Sequence, residues 1–103
     1  MIRADFFGSK GKLNGFSFSG HSGYAEAGED VACAAVSSAV QLTVNILDSL
    51  GSEPDVSVGE NTIRCVIRRP DSASDVIMEQ LRLHFEAILE EFPNTINITI
   101  SEV

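Results

Sequence analysis

Apolar positions alternate with others in two short runs at the start of the chain. Ile2, Ala4 and Phe6 share one face of a run from Ile2 to Phe7, and Phe16 and Phe18 share one face of a run from Leu13 to Ser19. Gly8-Ser9-Lys10-Gly11 between them is the glycine-bearing punctuation of a hairpin. The segment from Gly20 to Gly28 holds three glycines and predicts a loop. From Val31 to Leu50 the chain is free of Gly and Pro, and Val36, Val40, Val44 and Leu47 recur at helical spacing beside Ala32, Ala35 and Ala39. The pattern predicts a long helix capped by Asp30 at its start and closed by Gly51.

A second pair of strands follows, Val56 to Val58 and Thr62 to Arg68, turning at Gly59-Glu60-Asn61 and stopped by Pro70. A second helix is predicted over about Ser74 to Glu91, with Ile77, Leu81, Phe85, Ile88, Leu89 and Phe92 on its inner side. Ile96, Ile98 and Ile100 alternate with Thr95, Asn97 and Thr99 and describe a strand with one face in the core. The order β-β-α-β-β-α-β predicts an α+β fold, a largely antiparallel sheet with two helices over one side. At 103 residues and 44% apolar composition, the chain has room for one domain, residues 1–103.

Seven Lys and Arg against fifteen Asp and Glu leave a net charge of −8. Such a surface repels phosphate backbones and anionic lipids, so nucleic acid is not an expected ligand and a basic protein or peptide is. The N-terminus carries Arg3 and Asp5 and does not read as a signal peptide, and no uncharged apolar run is expected to approach the about 18 residues of a membrane span. The expectation is a cytoplasmic protein with no membrane partner. Cys33 and Cys65 form neither a C-x-x-C nor a zinc-spaced cluster, so reduced thiols, no metal and no cofactor are expected.

The segment from Gly20 to Cys33 carries the candidate chemistry. With Asp30 as cap, Cys33 falls at the third helical position, where unpaired N–H groups and the helix dipole favour a thiolate. His21 is the natural base for it. Spacing alone leaves two readings open: a nucleophile with its base, or a small apolar core residue and a loop histidine. Cys65 shares the core register of Ile63 and Ile67 and reads as structural. Gly20-x-x-Gly23 is not a KH clamp, because it follows a strand in an acidic chain, and Gly11-Lys12-Leu13 lacks the hydroxyl of a phosphate loop. His84 reads as a helix-flank residue.

Taken together, Gly20-His21-x-Gly23-Tyr24-x-x-x-Gly28-x-Asp30-Val31-x-Cys33-Ala34-Ala35-Val36-Ser37 resembles the signature of the ribosomal-processing cysteine proteases, the Prp or YsxB-like family. The resemblance implies a homodimeric α+β cysteine endopeptidase that removes an N-terminal extension from the large-subunit ribosomal protein numbered twenty-seven. It makes His21 the general base and acid and Cys33 the nucleophile. Gly20 matches as a hinge, Asp30 as the cap that fixes the helix start and helps to orient His21, and Ser37 as a hydrogen-bonding support one turn from Cys33. Ala32 departs from the larger aliphatics common at its position in the family. The oxyanion is expected at backbone N–H groups at the start of the long helix. The alternatives are a non-catalytic acidic module that binds a basic ribosomal or assembly protein, and a thiol redox sensor.

Overall fold

The computed structural model describes residues 2–20 and 27–102, with the side chains of the first helix described from Val31 onward. The elements are β1 (Ile2–Ser9), β2 (Lys12–Ser19), α1 (Ala27–Ser49), β3 (Pro54–Gly59), β4 (Thr62–Ile67), α2 (Ser72–Glu91) and β5 (Ile96–Glu102). They form the α+β fold in the expected order. The five strands lie in the order β3-β4-β2-β1-β5, antiparallel except where β1 pairs with β5.

One face of the sheet carries Ile2, Ala4, Phe6, Phe16, Phe18, Cys65, Ile67 and Ile96, all buried under the helices. Helix α1 contributes Ala32, Val36, Val40 and Leu47, and α2 contributes Met78, Leu81, Phe85 and Ile88. Phe6 sits between the two layers, edge-on to Phe85 at 5.6 Å and tilted against Phe16 at 6.4 Å between ring centroids. The opposite face of the sheet carries Arg3, Asp5, Ser17, Arg64 and Thr99, and there the Arg64 guanidinium stacks on the ring of Phe7, 4.7 Å from its centroid.

Several boundaries depart from the sequence expectation for identifiable reasons. The turn between β1 and β2 is only Lys10-Gly11, both at positive φ (55° and 76°). Gly8 belongs to β1, where the register shifts between Phe7 and Gly8, and a side chain there would strike the carbonyl of Lys12. β3 begins at Pro54 rather than Val56, since it is an edge strand whose missing N–H can face outward. Helix α2 starts at Ser72. Asp71 caps it reciprocally with Ser74, each side chain accepting the other's backbone N–H at 2.9 Å. Gly51 closes α1 as expected, with φ 78° and the Ser52 N–H donating to the Leu47 carbonyl.

Two expectations about α1 are corrected. The helix begins at Ala27, three residues before Asp30, so Asp30 lies inside the first turn and is not the cap, and Gly28 is helical rather than part of a loop. The stretch Val31–Ser49 is also long and apolar enough to cross a membrane by length and composition, with mean hydropathy 1.4. The sequence reading had excluded such a run. In this fold part of that apolarity serves the core, through the buried Ala32, Val36, Val40 and Leu47, while Val31, Leu42 and Ile46 are exposed.

Candidate active site

Cys33 is the seventh residue of α1, in its second turn, and half-buried between the fully buried Ala32 and Val36. The unpaired N–H groups of a helix are those of its first four residues, here Ala27 to Asp30. The amide of Cys33 is therefore inside the helical ladder, and the placement at the third helical position is corrected. The dipole's influence is concentrated in the first turn, so it contributes less to a Cys33 thiolate than the sequence reading supposed. The same shift moves the helix-start N–H groups away from the sulfur, against their expected role around an oxyanion.

What faces the sulfur is the end of β2. A Cβ built on Gly20 would stand 3.5 Å from Cys33 Sγ and 3.6 Å from the ring of Phe18, so Gly20 faces the thiol with room for one methyl group between them. Gly20 is itself held from the other side. Its N–H donates to the Asn61 carbonyl at 2.8 Å, one residue beyond the last ladder pair of β2 with β4, Ser19 and Thr62. Neither crowding nor a positive φ requires a glycine at this position in the conformation described.

Ser37 is four residues beyond Cys33, on the same side of α1 one turn along, and half-buried. His21 and the loop expected around it lie outside the described residues, as does the side chain of Asp30. Thus the structure brings Gly20 to Cys33 and puts Ser37 on the same face. Sequence reasoning missed Phe18 and Asn61 as neighbours of Gly20. The signal for Asn61 was present, since Asn at a two-residue hairpin loop commonly adopts positive φ, and Asn61 does, at 60°.

The second cysteine has the opposite character. Cys65 is fully buried in the core register of β4, and burial, reinforced by the carboxylate of Asp55, pushes its thiol up to about 11. It is a neutral core residue, as the strand pattern implied. His84 is exposed on α2. Among the described residues no group of three His, Cys, Asp or Glu side chains could hold a metal ion.

A half-exposed cysteine on a helix over an antiparallel sheet, bordered by a strand end, defines a candidate thiol-nucleophile site on an α+β scaffold. Comparison with known proteins gives it a family. The family model described as "Cysteine protease Prp" matches residues 1–97, and the chain belongs to that family and is a cysteine protease. It is 29% identical over 103 residues to the ribosomal processing cysteine protease Prp of Staphylococcus aureus strain Mu50, an alignment covering 95% of this chain and 97% of that protein. The fold is shared with the crystal structure of SMU.848 from Streptococcus mutans, with TM-score 0.82 and 25% identity over 100% of this chain and 96% of that one. It is also shared with an essential ribosomal processing protease Prp from S. aureus, solved in complex with a substrate peptide, with TM-score 0.87 and 20% identity over 98% of this chain and 100% of that one.

Proposed function

We propose that this protease is a cytoplasmic endopeptidase that trims the basic N-terminal extension of the large-subunit ribosomal protein numbered twenty-seven, with Cys33 as nucleophile and His21 as general base and acid. The observation that carries the assignment is that Gly20 faces the Cys33 sulfur, which a Cβ built on it would meet at 3.5 Å. His21 is the next residue in the chain, and that order supports pairing it with this half-exposed thiol. The names of the S. aureus relatives support the ribosomal substrate class.

His21 takes the thiol proton, and the Cys33 sulfur attacks the scissile carbonyl carbon, forming a C–S bond. The C–N bond breaks as the His21 imidazolium gives its proton to the leaving amine. Water then attacks the thioester, its proton passing to His21, and the carboxylate product leaves as the thiol is restored. Because Cys33 sits in the second turn of α1, the imidazole carries more of the activation than the helix terminus does. A chain of net charge −8 draws a basic peptide toward it, an attraction that salt weakens.

The enzyme works as a homodimer. In support, a groove of about 730 Å³ between α1 and α2 exposes Leu42, Ile46, Val76 and Leu83 and is lined by no Asp, Glu, Lys or Arg. On so acidic a chain, an uncharged apolar face lets two copies meet without like-charge repulsion.

Incubation with the extended ribosomal protein, read by mass, tests the activity. The wild-type protein releases the extension, and Cys33→Ala and His21→Ala do not while keeping the native melting profile. Release by either purified variant at the wild-type rate contradicts the dyad.

A further inference from the structure

We propose that Asn61 is a positioning residue for the catalytic pair, acting through Gly20; the inference rests on the His21 and Cys33 assignment above. β3 and β4 are joined by a loop of two residues, Glu60 and Asn61, closed by the pairing of Gly59 with Thr62. Asn61 occupies this loop at φ 60°, a conformation that Asn accepts and a β-branched residue resists. From there its carbonyl takes the Gly20 N–H at 2.8 Å. This is the step at which β2 leaves the ladder, immediately before His21.

Two constraints thus meet on one residue. Gly20 is hooked to the hairpin through its N–H, and it faces Cys33 Sγ, which a Cβ built on it would meet at 3.5 Å. The turn conformation of Asn61 therefore holds in place, opposite the thiol, the residue to which the histidine is attached. Displacements of about 1 Å between reacting groups are enough to cost large factors in rate. The left-handed backbone that Asn61 permits carries this role.

The test compares Asn61→Val, which opposes the positive φ, with Asn61→Gly, which accepts it. Lys10→Val serves as control: it imposes the same strain at φ 55° in the β1–β2 turn, at the other end of β2 from Gly20. His21→Ala is measured alongside, and Glu60, the neighbouring charge on the turn, is kept throughout. Two quantities are read: kcat and KM on a synthetic peptide copying the extension and first residues of the ribosomal protein, and the pH profile of iodoacetamide labelling at Cys33.

Asn61→Val is expected to lower kcat at least about tenfold with KM within about twofold. Its labelling profile moves to higher pH, toward that of His21→Ala. Asn61→Gly and Lys10→Val keep the wild-type profile. If Asn61→Val does not fold, Asn61→Ala takes its place with the same direction of change. An Asn61→Val enzyme with wild-type kcat and labelling, beside a His21→Ala enzyme that loses both, overturns the positioning role and leaves the dyad standing. A loss of kcat with an unmoved labelling profile, matched by Lys10→Val, marks a general loss of folded protein and overturns it too. Wild-type turnover and labelling in His21→Ala removes the dyad and the inference with it.

Discussion

Gly20 faces the sulfur of Cys33 across an open space: a methyl group added to it would meet that sulfur at 3.5 Å, an ordinary van der Waals contact. Contact of that kind is tolerated, whereas a branched side chain must enter the space over the sulfur. Gly20→Ala is therefore expected to fold with a melting temperature within a few degrees of wild type. Gly20→Val is expected to slow iodoacetamide labelling of Cys33 relative to Gly20→Ala. Equal labelling rates in the two variants would show that the sulfur is approached from another side.

Gly15 is a different case. A Cβ there would stand 2.2 Å from the ring of Phe7 and 2.8 Å from the carbonyl oxygen of Cys65. The Phe7 ring can turn only by leaving its stack with Arg64, and the carbonyl belongs to the neighbouring strand. Gly15→Ala is expected to cost about 1–3 kcal/mol of stability in urea titration. Because this clash lies on the far face of the sheet, labelling of Cys33 in the native state is expected to stay unchanged.

The fold was legible in the sequence wherever period and composition agreed, as in the alternating isoleucines of β5 and the aliphatic ladder of α2. It was less legible where tertiary context overrode a local signal. Pro54 lay outside the strand expected from Val56 and Gly8 read as part of a turn, yet one sits on a sheet edge and the other at a register shift. Gly28 read as loop and lies in α1. For the site, the sequence singled out Cys33 and Gly20 but not what joins them. That juxtaposition depends on β4 pairing with β2 and on the hook of Gly20 onto Asn61, a partner forty-one positions away. No local pattern encodes such a pairing.

Burial of Cys65 makes stability depend on pH in the alkaline range. Its thiol is held at about 11 in the folded chain, above the ordinary 9.0, so between these values the unfolded chain has lost a proton that the folded chain keeps. The contribution is complete below about pH 9 and is lost as pH rises toward 11, at most about 3 kcal/mol in total. Urea midpoints measured across this range should fall in the wild type and fall less in Cys65→Ala. The same slope in both proteins would assign it to other groups.

Helix α2 depends on its cap. Asp71 and Ser74 satisfy each other's backbone N–H groups, and Ser74 is fully buried. Asp71→Ala is expected to cost about 1 kcal/mol, measured as a shifted denaturation midpoint. Asp71→Asn should recover most of it. No change in Asp71→Ala would mean that the cap is replaced by solvent.

The apolar face of α1 and α2 makes a separate prediction. Leu42 is 61% exposed and Val76 62% exposed, so a charge placed at either costs the monomer little. Leu42→Glu and Val76→Glu are expected to shift sedimentation from dimer to monomer at micromolar concentration with the melting curve of the fold preserved. A wild-type protein that sediments as a monomer contradicts the paired state.

The claim on which the rest depends is that Cys33, and not Cys65, is a reactive thiol served by His21. Site-resolved mass spectrometry of native protein treated briefly with iodoacetamide at neutral pH measures this directly. The account predicts an adduct on Cys33 alone, formed much more slowly in His21→Ala, with Cys65 labelled only after unfolding. Equal labelling of both cysteines in the native state, or a Cys33 rate indifferent to the loss of His21, would contradict it.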